Sequence, residues 1–417
     1  MKIRLPAFLP LFAVSFAAVQ AEQPVATGEF TKIQLTDQFW AEGAAIGDFN
    51  HDGKMDVAYG PYWWEGPDFK VRHTYRPDTD KSKVKKADGT EIEIPGFKGV
   101  LGNENGYSDN FLTYAFDFNG DGWTDILVIG WPGKEAYWYE NPKGADIPWP
   151  KHLAWDVVDN ESPVLADLFG TGKPVLVCCS GGYVGYAEPD WKDPEEKWKW
   201  HPISPKGAYQ RYTHGIGVGD VNGDGRMDIM EATGWWEQPK SLDGDPVWKK
   251  HEFQFGKGGA QMYAYDVNGD GKPDIITSLE AHGYGLAWFE QTNDNGVEGW
   301  IKHVIVGEKP EENPQGVQFS QPHAIWLQDM NGDGLLDIVT GKRFWAHGPT
   351  GDKEPNAPAV LYWFELKRSG GKVQWLAHLI DDNSGVGTEV MAGDLNGDGK
   401  PDVLVGNKRG AFIFLRK

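Results

Sequence analysis

Apolar residues along the chain gather in short runs on either side of polar turns. Ile216-Gly-Val-Gly and Ala324-Ile-Trp-Leu precede such turns, while Asp274-Ile-Ile-Thr and Asp402-Val-Leu-Val follow them. Runs of this length flanking a turn predict buried β-strands. Two further patterns recur. An aromatic strand ends in Glu at Trp63-Trp64-Glu65, Trp138-Tyr139-Glu140, Trp235-Trp236-Glu237, Trp288-Phe289-Glu290 and Trp363-Phe364-Glu365. A strand built around His carries His73, His152, His201, His251, His303 and His378, often with Trp two or three residues earlier. Each unit therefore has four strands in about 50 residues, the pattern of a propeller blade. The strands are designated A, B, C (aromatic) and D (His) from the axis outward.

The turn between A and B carries the clearest repeat. Asp-x-Asn-x-Asp-Gly-x-x-Asp begins at Asp48, Asp117, Asp220, Asp266, Asp329 and Asp394, and a degraded copy begins at Asp167. Successive starts lie 46 to 69 residues apart. Calcium takes six to eight oxygens, and loops of this type supply them from side chains 1, 3, 5 and 9 and the carbonyl of residue 7. The expected ligands in the first loop are Asp48, Asn50, Asp52 and Asp56, with the carbonyl of Lys54. The second offers Asp117, Asn119, Asp121, Asp125 and the Trp123 carbonyl; the next complete loop offers Asp220, Asn222, Asp224, Asp228 and the Arg226 carbonyl. Asp266, Asn268, Asp270 and Asp274 follow with Lys272, then Asp329, Asn331, Asp333 and Asp337 with Leu335. Asp394, Asn396, Asp398 and Asp402, with Lys400, complete the six expected calcium sites. The degraded copy has Phe169, Thr171 and Val175 in three ligand positions, which predicts no ion there. These loops lie between strands and lack the Glu at position 12, so they are not EF-hands.

Six complete loops and one degraded copy predict an all-β, seven-bladed β-propeller with four-stranded blades, one domain over 22–417. The seventh unit ends on its aromatic strand, Ala411-Phe-Ile-Phe-Leu. The segment Phe30-Thr-Lys-Ile-Gln-Leu is expected to supply its missing outer strand and close the ring.

The repeated loop resembles the FG-GAP or VCBS repeats of integrin α-subunit propellers and of many secreted bacterial proteins, across essentially the whole mature chain. The resemblance implies the propeller fold and calcium in its loops. It says little about function, since this fold hosts adhesion modules, lyases and dehydratases. Some members, such as the propeller of aldos-2-ulose dehydratase and certain polysaccharide lyases, act on sugars.

Charge and cysteine usage narrow the partners. The formal charge is −21, but eighteen of the acids sit in the six loops. Six divalent ions would bring about twelve positive charges, leaving a moderately acidic surface that excludes nucleic acid as a partner. Cys178 and Cys179 are adjacent and read as small buried hydrophobes, not as a disulfide framework. Lys2 and Arg4, the apolar stretch Leu5 to Ala18 and Val19-Gln20-Ala21 predict a signal peptide over 1–21 and a secreted or periplasmic protein. No later apolar run of about 18 residues predicts a membrane span.

The loops between A and B define one face of the ring, so the D–A and B–C connections share the opposite, top face. The long segments 74–110, 306–322 and 341–358 all belong to the top, where long loops favour function. Of eleven histidines, six occupy strand D and read as structural, and His51 lies in the first loop. The other four, His214, His282, His323 and His347, map to the top. His214 and His323 stand six residues before the loop Asp, as do Glu42 and Glu161; Glu389 is one residue later, with Asn110 and Gln261 nearby. Imidazoles and carboxylates converging on the channel mouth suit zinc, manganese or iron, or acid–base work. Lys342, Arg343 and an aromatic pair precede His347, and Glu280 accompanies His282. Lys81, Lys83, Lys85 and Lys86 read as a solvated charge run. No phosphate loop, dinucleotide fingerprint or nucleophile elbow is present.

Two functions follow from this pattern. One is a carbohydrate-active lyase or dehydratase on a sugar or uronic acid derivative. In it His214, His323 and one Glu hold a metal, His282 or His347 is the base, and Arg343 orients the acid group. The alternative is a non-catalytic propeller presenting its top loops to a glycan or a protein ligand.

Overall fold

The computed structural model describes residues 25–77, 81–85, 88–95, 108–294 and 297–417. The signal segment 1–21 and Lys86 lie outside the described residues. Seven antiparallel sheets follow one another along the chain, and their innermost strands are Ala44–Gly47, Leu112–Phe116, Val164–Ala166, Ile216–Gly219, Tyr263–Tyr265, Ile325–Gln328 and Val390–Gly393. In the first six sheets each strand pairs with the next in sequence, giving four-stranded meanders. The seventh has three strands of its own, Val390–Gly393, Asp402–Asn407 and Gly410–Arg416. Phe30–Thr36 pairs antiparallel with Gly410–Arg416 from Phe30 opposite Arg416 onward. The N-terminal strand closes the last blade, as the sequence predicts. A short strand, Val25–Thr27, pairs outside it and makes this sheet five-stranded. Lys81–Lys85 and Glu91–Pro95 form a separate hairpin inside the first insertion. No helix among the described residues is long and apolar enough to cross a membrane.

Ring closure is visible in the packing. The apolar core divides into seven clusters, and each spans one pair of neighbouring blades. Val339, Leu361 and Trp363 of blade 6 meet Val390, Val403 and Phe412 of blade 7. Blade 7 in turn meets blade 1 through Leu404 and Ile413 against Val57 and Tyr59. A strand facing both neighbours must be apolar on both sides, which is why strands B such as Asp125–Ile129 and Val175–Ser180 are buried throughout. Cys178 and Cys179 lie in the latter, buried and unbridged.

The repeated histidines serve the blade. His73, His152, His251, His303 and His378 sit directly opposite Trp63, Trp138, Trp235, Trp288 and Trp363 on strand C and stack on them at 3.9–4.4 Å. In blade 3, Tyr186 takes the Trp position against His201. Each of those five rings also reaches the Glu that follows the aromatic pair of strand C, at 2.6–3.1 Å. That Glu contacts the loop in turn: Glu365 accepts from the Asn331 amide at 2.7 Å, and Glu140 from Asn119 at 3.3 Å.

The A–B loops share one hydrogen-bond scheme. Asp220 accepts from the backbone N–H groups of Asp224 (3.0 Å) and Gly225 (2.8 Å), and Asn222 also accepts from Asp224 N–H (2.9 Å). Gly225 holds φ +84°, where a Cβ would be strained. Asp228 joins the loop to strand C, accepting from Val221 N–H at 3.0 Å and Gln238 N–H at 2.9 Å. Burial first, then the neighbouring Asp224 and Asp220, push its carboxyl up to about 7. In the degraded loop Asp167 still accepts from Thr171 and Gly172 N–H, and Thr171 Oγ1 from Lys173 N–H at 3.3 Å, so the turn keeps its shape with three ligand positions changed. Val175 removes the tie at position 9.

Candidate metal centre at the channel mouth

Strand A starts at the rim opposite the A–B loops, so residues just before it from different blades face one another around the axis. Glu161 precedes strand A of blade 3, His214 that of blade 4 and His323 that of blade 6. The His214 and His323 Nε2 atoms are 3.2 Å apart. Glu161 Oε2 lies 3.5 Å from the first and 3.3 Å from the second. His282 joins from the B–C loop of blade 5, its ring 5.0 Å from each of the other two. One ligand atom from each of these four residues lies within 4.8 Å of the others. Two hydrogen bonds brace the group: Glu161 N–H donates to the Thr213 carbonyl, and Gly215 N–H to the Ser162 hydroxyl, both at 2.9 Å.

The donor set fits a metal on two grounds. Tetrahedral coordination at about 2.0–2.1 Å places ligand atoms about 3.3–3.4 Å apart, and the three edges here are 3.2, 3.3 and 3.5 Å. His214 Nδ1 lies 2.8 Å from Tyr212 O, which fixes the proton on Nδ1 and turns the Nε2 lone pair inward. His323 Nε2 faces it while 3.0 Å from the Arg343 Nη1 donor. His323 Nε2 has a single lone pair, so the 3.2 Å contact is met either by an Nε2–H of His323 donated to His214 or by a cation held between the two rings.

Arg343 is 1 % exposed and forks onto Glu42, Nε to Oε2 and Nη2 to Oε1, each at 3.1 Å. Its Nη1 also stands 3.4 Å from Glu161. The role read from the sequence, orienting a substrate acid group, does not match this burial; Arg343 positions Glu42, Glu161 and His323. Burial would raise the Glu161 carboxyl, but His214 and His323 beside it bring it well below the usual range. Burial and then Arg343 hold His323, which is 0 % exposed, well below the imidazole range, so it stands neutral.

His282 leads to a second group. Asp352 Oδ1 lies 3.5 Å from His282 Nδ1 and 2.7 Å from His347 Nδ1, and its Oδ2 accepts from His347 N–H at 3.0 Å. Burial tends to raise Asp352, but hydrogen bonds from both imidazoles bring it far below the carboxylate range. His282 is lowered, by burial first. His347 is exposed at the rim beside Phe344 and Trp345, whose rings stack at 4.9 Å.

The remaining sequence-predicted residues fall elsewhere. Lys342 is buried with Nζ on Ser320 Oγ (2.6 Å), and burial lowers it to about 8. Glu280 pairs with Lys257 at 2.9 Å. Glu389 lies inward of the cluster, accepting from Thr113 N–H at 3.1 Å. Two residues of the site escape a reading of the sequence. Asp352 lies in the 341–358 insertion without a register to mark it. Lys408, lowered by burial to about 8, holds the aromatic loop from beneath through Trp345 O at 2.6 Å.

Residues 266–340 and 329–405 match the FG-GAP-like repeat. No curated protein matches the chain. Among solved structures, the Agrocybe aegerita lectin described as recognising non-reducing terminal N-acetylglucosamine is 18 % identical, with 81 % of this chain and 86 % of that one covered and a TM-score of 0.42. Rhamnogalacturonan lyase YesW is 14 % identical over 94 % and 75 %, also at 0.42. The V. cholerae biofilm matrix protein Bap1 is 12 % identical over 89 % and 77 %, at 0.36. The chain is therefore a seven-bladed β-propeller whose blades 5 to 7, over residues 266–405, match the FG-GAP-like repeat, and whose blades 1, 2 and 4 carry the same Asp-rich loop.

Proposed function

We propose that this propeller is a metal-assisted lyase or dehydratase acting on a sugar or uronic acid derivative. In this reading it is exported from the cytoplasm and stabilised by calcium in six A–B loops. The observation that carries the reading is the triangle of His214 Nε2, His323 Nε2 and Glu161 Oε2, whose edges match a tetrahedral donor set. Three protein donors leave the fourth position open for a substrate oxygen, and His282 stands beside it, its ring 5.0 Å from those of His214 and His323. A zinc-, manganese- or iron-type ion bound there would polarise a carbonyl or carboxylate oxygen. Arg343 keeps Glu161 and Glu42 in place. His347, aligned by Asp352 at the rim, takes the proton from the carbon next to that oxygen-bearing group. The imidazolium returns the proton to the hydroxyl leaving the neighbouring carbon, so the net change is loss of water. Phe344 and Trp345 offer an apolar face for a sugar ring beside this polar mouth.

One observation favours a second reading, a non-catalytic site for glycan or protein. Arg343 Nη1, 3.0 Å from His323 Nε2, already sets a positive charge against the cluster. The two readings part on metal content and turnover. Protein treated with a weak chelator that spares the calcium loops should keep about one non-calcium divalent ion per chain, and should form unsaturated product from members of a panel of keto-sugars and uronides. His214→Ala and His323→Ala should lose that ion and the turnover while melting close to wild type. Wild-type protein holding only calcium and transforming nothing on the panel would decide for the binding propeller, with affinity then sensitive to Trp345 and His347.

A further inference from the structure

The strands A enclose a central channel, and toward the A–B loops it widens into a cavity of about 540 Å3. The inner strands of the blades form its wall, which is mainly apolar: Tyr114, Leu165, Val218, Tyr263, Trp326 and Met391. The two tyrosine hydroxyls donate to backbone carbonyls, Tyr114 to Pro163 O at 2.8 Å and Tyr263 to Ile325 O at 2.9 Å, so their polar ends are already engaged. Gln261 and Glu389 stand at the inner end. Both ends of the Gln261 amide are bonded, to Thr388 O and Ile325 N–H at 3.0 Å. Glu389, 4 % exposed, accepts backbone N–H groups from Thr113 and Ala44, and a carboxyl can form more bonds than these.

The mouth supplies a second, independent observation. Asp167, Gly172 and Pro174 line it, and all three belong to or adjoin the degraded loop of blade 3. The A–B loop that lacks three expected cation ligands gives the cavity three lining residues, whereas among the complete loops only that of blade 4 reaches it, through Met227.

We infer that this cavity is a binding site, on the face opposite the histidine cluster, for an uncharged, largely aromatic small molecule. The ligand enters past the blade-3 loop and presents one hydrogen-bonding group to Glu389. A cavity of this size, apolar with few polar groups at one end, has the make-up of small-molecule sites. Charge is disfavoured because the wall offers nothing to replace its hydration. The tyrosine and tryptophan rings favour a flat ligand, and Met227, Met262 and Met391 along the cavity can adapt to its outline.

The methionines also provide the test. The chain has seven; three line the cavity, whereas Met55 is exposed on the first A–B loop and Met330 is buried between blades 6 and 7. The calcium-loaded full chain, labelled with 13C in the methionine methyl groups, is titrated with 1-naphthol as the probe and followed by methyl NMR. The expected result is that Met227, Met262 and Met391 shift together and saturate with one dissociation constant, while Met55 and Met330 stay in place. Naphthalene, which has no oxygen to donate to or accept from the Glu389 carboxyl, should bind about tenfold more weakly. Cavity methyls unmoved up to the solubility limit, or Met55 and Met330 shifting equally, would overturn the site. Equal affinity for the two probes would overturn the role of Glu389. No substitution is needed, so the outcome does not depend on a variant folding.

Discussion

Replacing Glu389 with glutamine should stabilise the protein increasingly as the pH rises. The Glu389 carboxyl is fully enclosed; burial drives it well above the ordinary value of 4.5, and backbone N–H groups of Thr113 and Ala44 offset this only in part. The sign follows from proton linkage. Below about pH 4.5 the folded and unfolded chains both carry the proton, and the residue costs nothing. Above it the unfolded chain releases the proton while the folded chain retains it, so stability falls by about 1.4 kcal/mol per pH unit until the folded value is reached. From about pH 4.5 to pH 7 the limit is therefore about 3.4 kcal/mol. Glutamine keeps an oxygen for the two backbone donors and has no proton to lose, so the slope disappears. Urea unfolding of wild type and Glu389→Gln at pH 5, 6, 7 and 8, at fixed ionic strength and saturating calcium, gives the difference directly. The loop aspartates titrate in both proteins and cancel. The gap should be near zero or slightly against the glutamine variant at pH 5 and should widen steadily to pH 8. A gap that is flat, or that shrinks with pH, refutes the reasoning, because it means the folded protein holds Glu389 ionised at no cost.

Two further outcomes are expected. Strong chelation should lower the melting temperature and calcium should restore it; Asp224→Ala should lose part of that restoration and Asp167→Ala much less, and equal losses in melting curves taken with and without calcium would count against calcium in the loops. Arg343→Met strands the buried Glu42 carboxylate and should cost about 3 kcal/mol, with Glu42→Gln in the same chain recovering part of it; the absence of any recovery in urea unfolding would mean that the fork between the two residues is not what stabilises the mouth.

The sequence by itself determined the architecture, because a propeller is assembled from local units. Each blade is a meander of consecutive strands, its turn chemistry is written in nine residues, and the cross-strand Trp–His pairs lie close along the chain. The repeats therefore identify strand order, and the missing seventh strand D pointed to Phe30–Thr36 as the closing strand. The register also reached the site. Six residues before the loop Asp is the same height in every blade, and a closed ring turns equal heights into a circle, so Glu42, Glu161, His214 and His323 had to meet near the axis. Glu389 marks the limit of that rule. It stands one residue later, successive residues of an extended chain point to opposite sides, and its carboxyl lies inward at the end of the cavity with Gln261, which shares its register. What no register marks was decided by tertiary structure alone. Asp352 meets His282 and His347 through the path of a long loop, and Lys408 arrives beneath Trp345 from another blade. Arg343 reads in the sequence as a top-loop cation for a substrate acid group, yet the fold buries it, because two carboxylates from distant blades converge on the same point and its guanidinium meets both.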